Sequence, residues 1–206
     1  MSRFAQLAYT DTVRRVQAEH GSAVARARAL AADGPDRIGP AEAEFLAGRD
    51  HVLLATVSET GWPYVQHRGG PPGFLHVLAG TDGGGDSVAF LDVRGNRQHL
   101  STGNLRGDDR IAVLALDHAR QRRLKLLGRA EVLPLDADPA LTARLAATAT
   151  DGRAERIVRI RVEGIDWNCP QHITPRWSAA ELEPALAPLR ARLAELEAEN
   201  ARLRAA

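Results

Sequence analysis

The chain has 206 residues, 44% of them hydrophobic and 26% charged, and a formal net charge of +1. This length allows one well-formed core with a small appendage. The near-neutral charge gives no reason to expect nucleic acid or an anionic membrane as a partner. The single cysteine, Cys169, excludes an intramolecular disulfide or a cysteine metal cluster within one chain. Apolar runs are short and no secretory signal is visible, so we expect a soluble, cytoplasmic protein.

Helices are predicted towards the N-terminus. Residues 11–32 are rich in Ala with interspersed Arg and Glu, which predicts a helix that can break near Gly21. Pro40 predicts the start of a short helix over 41–47, and Gly48 predicts its end.

Seven short segments in the middle of the chain have the apolar or alternating pattern of β-strands. They cover residues 51–58, 62–68, 74–78, 87–93, 110–117, 123–133 and 156–163. Further helices are predicted over 98–105 and 137–149. Successive short strands with helices mainly at the ends favour an antiparallel barrel over a parallel α/β sheet. The predicted fold class is therefore mainly β with flanking helices.

The C-terminal residues follow a different pattern. Positions at alternating spacings of three and four form one series, namely Leu186, Leu189, Leu193, Leu196, Asn200 and Leu203. A polar residue at an a position of such a heptad series is typical of a two-stranded coiled coil. An amphipathic helix packed on its own domain explains the series equally well. We accordingly divide the chain into an N-terminal helical extension (1–48), a barrel domain (49–178) and a C-terminal helix (179–206).

The turn after the predicted strand 87–93 is the most informative segment. Asn96, Arg97 and Gln98 bring amide and guanidinium groups to the start of a predicted helix. Free N–H groups at a helix start and an Arg side chain together suit a phosphate monoester. A solvated surface Arg is the alternative interpretation.

Two other polar segments are candidates for the same site. Gln66, His67, Arg68 and Gly69 end a predicted strand, where glycine leaves backbone groups accessible to a planar heterocycle. His67 is a candidate general base, although a hydrogen-bonding surface role is the commoner one. No histidine has the spacing of a metal ligand set, so no metal site is predicted.

The segment 166–176 follows the last predicted strand and combines two prolines with Gln171 and His172. Rigid polar loops of this kind often line sites, while a turn packed by Trp167 is the alternative. Cys169 has no neighbouring base or activating helix in the sequence, which argues against a nucleophilic thiol.

The order of these segments resembles the pyridoxamine 5'-phosphate oxidase-like family, the FMN-binding split barrel. The resemblance spans residues 45–176 and depends on the segments 62–68, 95–98, 104–105, 110–113 and 122–128. It implies an antiparallel Greek-key split barrel that forms a homodimer with FMN in the interface. The implied flavin and ribityl contacts are Gln66, His67, Arg68 and Gly69, and the implied phosphate ligands are Asn96, Arg97 and Gln98. Arg123 matches a position that contacts the flavin from the neighbouring subunit, and the segment with Gln171 and His172 would close over it.

Two departures from the family pattern affect the implied activity. The oxidases have Lys where this chain has Gln98, and their C-terminal Trp and Arg pair for pyridoxal phosphate is missing. The resemblance therefore implies an FMN-dependent oxidoreductase that acts on another small molecule, with a nicotinamide as a candidate electron donor. Relatives in the family use F420 or are haem-related. An F420-dependent reductase and a non-catalytic flavin or haem carrier or sensor are therefore the alternatives, and no catalytic residue is assigned.

Overall fold

The structure, a computed structural model, describes residues 2–22, 34–80, 85–148 and 152–205. Within these ranges the helices are α1 Arg3–Ala8, α2 Asp11–Glu19, α3 Pro40–Ala47, α4 Leu100–Gly107, α5 Pro139–Ala146 and α6 Ala179–Ala205. The strands are β1 His51–Val57, β2 Pro63–Gly69, β3 His76–Leu78, β4 Ser87–Val93, β5 Arg110–Asp117, β6 Arg122–Leu133 and β7 Ala154–Asn168. The chain divides into two compact units, Met1–Asp117 with Arg122–Cys169, and His118–Gln121 with Pro170–Ala206.

All seven strands form one antiparallel sheet in the order β2-β1-β5-β6-β7-β4-β3. The predicted antiparallel β fold with flanking helices is confirmed, and β4 and β5 have the predicted bounds. The last strand is longer than predicted, because its pairing with β6 continues to the partners Arg123 and Asn168. The prediction that Asp166 already lies in a loop after the last strand is therefore wrong.

The main hydrophobic core lies on one face of this sheet. Alternate residues of β1 and β5 point inwards, so Val52 and Leu54 pack with Ile111 and Val113 in the main hydrophobic cluster. Helix α5 covers a second, smaller cluster, in which its Leu141 packs with Ala89 of β4 and Ile157 of β7. Burial of these apolar faces provides the main stabilisation of the barrel.

The helices around the barrel agree in part with their predictions. Helix α3 begins at Pro40 and ends at Gly48 as predicted. Helix α2 covers the start of the predicted helix 11–32 and stops before Gly21, whose φ is +68°. The rest of that prediction, 23–33, lies outside the described residues, as do 81–84 of the predicted Gly-rich turn and residue 149 at the predicted end of α5.

Helix α1 was not predicted from the sequence. Its first turn is hydrogen-bonded to the carboxylate of Asp36, which is distant in sequence. The backbone N–H groups of Arg3 and Phe4 donate to Asp36, which also accepts from the N–H of Ile165 on β7. One carboxylate thus binds the start of α1 to the sheet. In the part of the chain that the structure describes, none of the helices has the length and apolar character needed to cross a membrane.

Candidate functional site

A cleft of about 200 Å³ lies where β2, β4, the start of β7 and the start of α4 meet. Five of the ten predicted site residues line it, namely Gln66, Arg68, Asn96, Arg97 and Gln98. The cleft therefore brings together the phosphate turn and part of the second polar segment, although the two are about thirty residues apart in sequence.

The alternation of strand β2 divides its four predicted residues between two faces. Gln66 and Arg68 face the cleft together with Tyr64, whose hydroxyl donates to the carboxamide oxygen of Gln66. His67 and Gly69 lie on the opposite face, where the ring of His67 stacks on that of His51 at a centroid distance of 5.5 Å. The structure does not bring the side chain of His67 into the cleft.

The turn between β4 and α4 has an unusual backbone. Arg97 and His99 both adopt left-handed conformations, with φ of 61° and 54°. Gly95 does not, and a Cβ added there would meet no atom within 4 Å. Asn96 stabilises the turn because its Oδ1 accepts the backbone N–H of Gln98 at 3.2 Å. A left-handed non-glycine residue costs about 1–2 kcal/mol, and such strain is concentrated at functional sites.

The N-terminus of α4 opens onto the cleft without a side-chain cap. Its N-cap residue, His99, makes no capping hydrogen bond, and the first-turn residues Ser101 and Thr102 line the cleft. Uncapped N–H groups at a helix start give this end a partial positive charge. The helix begins two residues later than the predicted 98–105 and runs to Gly107.

Arg156, at the start of β7, is a cleft residue that the sequence did not reveal. Its guanidinium donates to Thr102 Oγ1 at 3.2 Å and to Glu155 at 2.6 Å, and its Nε lies 3.5 Å from Asp92. Arg156 is the cross-strand partner of Asp92 in the β4–β7 register. Only that strand pairing places Arg156 beside the turn, so the sequence could have revealed this residue only if the β4–β7 register had been known.

Positive charge outnumbers negative charge in the cleft. Arg68, Arg97 and Arg156 face Asp92 and Glu155. The pKa of Glu155 lies below its ordinary value, chiefly because Arg156 donates a hydrogen bond to it, and the charges of Arg156, Arg94 and Arg97 add to the effect. Three arginines against two acidic residues leave one formal positive charge in the cleft for a ligand.

Arg97 and Arg68 differ in their hydrogen-bonding capacity, and only that of Arg97 is open to a ligand. Among the described residues, no carboxylate lies within 4.0 Å of the Arg97 guanidinium. The buried Nε of Arg68 has no hydrogen-bond partner, although Asp92 Oδ1 lies 3.0 Å away, because the contact is not aligned for a hydrogen bond. A buried donor without a partner is costly, and this one has almost no accessible surface at which a ligand in the cleft could reach it.

These properties fit the polar part of FMN. A phosphate suits Arg97, Arg156 and the α4 N-terminus, and the hydroxyls of a ribityl chain suit Gln66. The cleft volume is below the roughly 300–1,000 Å³ of complete ligand pockets. One chain thus offers space for part of such a cofactor.

The remaining predicted residues lie outside the cleft. Arg123 on β6 donates from Nη2 and Nε to the carboxamide oxygen of Asn168, at 2.7 and 2.9 Å, when that amide is oriented with its oxygen towards the guanidinium. Gln171 and His172 belong to the second unit and are exposed, and His172 has a φ of 66°. Their contacts with a flavin stay a prediction.

Several solved structures are similar to this chain. HupZ from Group A Streptococcus is 16% identical, with a TM-score of 0.48 over 68% of this chain and 99% of its own. A protein related to general stress protein 26 from Clostridium acetobutylicum is 17% identical, with a TM-score of 0.41 over 64% of this chain and 86% of its own. An F420 reductase is 22% identical, with a TM-score of 0.41 over 62% of this chain and 98% of its own. Identities and TM-scores this low support no statement about the function of this chain.

Family membership rests on a stronger match. No curated protein matches the chain. The family model described as pyridoxamine 5'-phosphate oxidase matches residues 38–169, which is well over half of the sequence and contains the whole cleft. The chain therefore belongs to the pyridoxamine 5'-phosphate oxidase family.

Proposed function

We propose that this protein binds FMN and is an FMN-dependent oxidoreductase, with the segment 96–102 as the phosphate site. The observation that supports this most directly is the convergence of unpaired donors on one cleft. The uncapped start of α4 and the guanidinium of Arg97 both line it. An anionic ligand would satisfy both.

In this proposal, each cleft residue has a binding role. Arg97 and the N–H groups of Ser101 and Thr102 hold the phosphate, and Arg156 adds a charge behind Thr102. Arg156 thereby offsets the positive charge that is lost where this chain has Gln98 in place of Lys. When bound, FMN supplies the redox chemistry, while the protein orients it and excludes water.

We further propose a homodimer that encloses the flavin ring. A cleft of about 200 Å³ leaves part of the cofactor outside one chain. The edge strand β2 also has exposed apolar residues beside it, with Val65 59% and Trp62 75% exposed. Exposed apolar side chains on a sheet edge favour association with another chain. The second subunit would then supply the remaining wall of the site.

The substrate is proposed to be a small molecule other than pyridoxamine phosphate, with a nicotinamide as the electron donor. The described C-terminal residues form the long helix α6, and the oxidase motif with its Trp and Arg pair is not recognised in the sequence. This departure from the family pattern is the reason for proposing a different substrate.

Titration of the purified protein with FMN, F420 and haemin tests this proposal, followed by addition of NADH or NADPH. Tight FMN binding with steady reduction of the flavin is the expected result. Tight binding without reduction would favour a carrier or sensor, and preference for F420 would favour an F420-dependent reductase. A protein that binds none of the three would contradict the proposal.

A further inference from the structure

The C-terminal helix α6 exposes an apolar series along its whole length. It has 27 residues, and none of them is buried. The exposed large apolar residues are Leu182, Leu189, Leu193, Leu196 and Leu203, with exposures between 39% and 70%. We propose that this helix pairs with the α6 of a second copy as a parallel, in-register, two-stranded coiled coil.

The heptad positions of α6 are regular over nearly four repeats. The a positions are Ala179, Leu186, Leu193 and Asn200, and the d positions are Leu182, Leu189, Leu196 and Leu203. Pro184 and Pro188 fall at f and c, on the face opposite the seam. Each proline removes one intrahelical hydrogen bond, so this part of the helix depends on packing against a partner.

The charged residues that flank the seam select the parallel arrangement. In a parallel pair, each g position faces the e position of the following heptad on the other helix. Arg192 would face Glu197 of the partner subunit, and Glu199 would face Arg204 of the partner subunit. Both contacts join opposite charges, and the two-fold symmetry of the pair repeats each of them.

Asn200 favours the same arrangement and fixes the register. In a parallel in-register pair, Asn200 lies opposite the Asn200 of the partner subunit, and the two carboxamides can bond to each other. In an antiparallel pair, a positions face d positions, so the amide would lie against leucine without a partner. In the single chain, Arg192 bonds Glu195 at 2.9 Å. That exposed ion pair within one helix is weak, so little stability is lost when Arg192 instead contacts Glu197 of the partner subunit.

Oxidative cross-linking of the full-length protein tests orientation and register together. In a Cys169→Ser background, Leu203→Cys places a thiol at a d position and Ala198→Cys places a control thiol at an f position of the same helix. The proposal predicts that the Leu203→Cys protein forms disulfide-linked dimers at least about tenfold faster, because the parallel register brings its thiols together. Equal rates, or no cross-link at position 203, would overturn the proposal.

Charge reversal tests the flanking contacts in the same Leu203→Cys background. Arg192→Glu should slow cross-linking about tenfold, since two symmetric attractions become repulsions. Adding Glu197→Arg should restore the original rate. Arg202→Glu reverses a charge at an outer c position and should change nothing. An equal loss with Arg202→Glu, or no rescue by the double variant, would show that these contacts do not form.

Discussion

The Nε of Arg68 lies 3.0 Å from Oδ1 of Asp92, and this contact joins two strands that are far apart in the order of the sheet. Arg68 is on β2, the first strand in the sheet order, and Asp92 is on β4, the sixth. The pair therefore closes the barrel across strands that share no backbone ladder. Both residues also line the cleft, so barrel closure and the shape of the candidate site depend on the same contact.

Replacing Asp92 should lower stability. Asp92→Asn keeps the shape of the side chain but leaves Arg68 and Arg156 facing a neutral group. We expect the free energy of unfolding to fall by about 1–3 kcal/mol, because a largely buried ion pair is broken from one side. Urea denaturation monitored by circular dichroism measures this. Asp11→Asn removes an exposed pair with Arg14 and should change stability by less than about 0.5 kcal/mol. Equal effects of the two variants would contradict the closing role of Asp92.

Arg97→Gly should weaken FMN binding without lowering the stability of the protein. Glycine relieves the left-handed backbone at φ 61°, so we expect the free energy of unfolding to stay level or rise by up to about 1 kcal/mol. FMN affinity should fall by about 1.5–3 kcal/mol, the range for a hydrogen bond to a charged group. Flavin fluorescence titration and urea denaturation measure the two quantities. Arg106→Ala removes an arginine from the other end of α4 and should leave affinity unchanged. A destabilised Arg97→Gly protein with normal affinity would contradict both roles of Arg97.

Substitution by alanine should lower stability at one glycine and leave it unchanged at another. A Cβ at Gly128 would lie 2.4 Å from the carbonyl oxygen of Arg161, beside the irregularity in the β6–β7 register. We expect Gly128→Ala to cost about 2–3 kcal/mol, since the backbone must shift to admit the methyl group. Gly95→Ala should be nearly neutral, because its Cβ would meet no atom within 4 Å. Thermal unfolding compares the two variants, and a strong loss at Gly95 would show that the turn needs glycine after all.

His76 should make stability depend on pH. Burial lowers the pKa of His76 below its ordinary value, and the nearby charge of Arg144 adds to this effect. The unfolded chain thus binds a proton at a higher pH than the folded chain. The contribution of neutral His76 to the free energy of unfolding is complete above the ordinary His pKa of about 6.5. It is lost as the pH falls through the lowered pKa of the folded protein.

A comparison with His76→Gln measures this contribution. Urea denaturation between about pH 7.5 and pH 5 brackets the ordinary pKa. The wild-type protein should lose more stability over this range than the variant. Parallel pH profiles of the two proteins would contradict the assignment.

Much of the sheet could be predicted from local sequence. Apolar runs bounded by charged or turn residues gave the correct limits of β4 and β5. Helix α1 was missed because it has six residues and no side-chain cap, and because Asp36, more than thirty residues away, supplies its hydrogen bonds. A contact of that separation is not visible in a local pattern.

The candidate site was predictable only in part, for two physical reasons. Adjacent residues of a strand point to opposite faces, so Arg68 reaches the cleft and His67 does not. Strand periodicity alone could have made that distinction. Arg156 and Asp92 are 64 positions apart and meet only through the β4–β7 register, which the sequence does not specify.

The central claim is that the turn at Arg97 holds a phosphate, and comparing FMN with riboflavin tests it most directly. Riboflavin lacks only the phosphate, so the ratio of the two dissociation constants isolates that group. The wild-type protein should bind FMN more tightly than riboflavin by at least about tenfold. The Arg97→Ala substitution should abolish most of this preference. Equal affinity of the wild-type protein for both flavins, or a preference for FMN that survives in Arg97→Ala, would contradict the account.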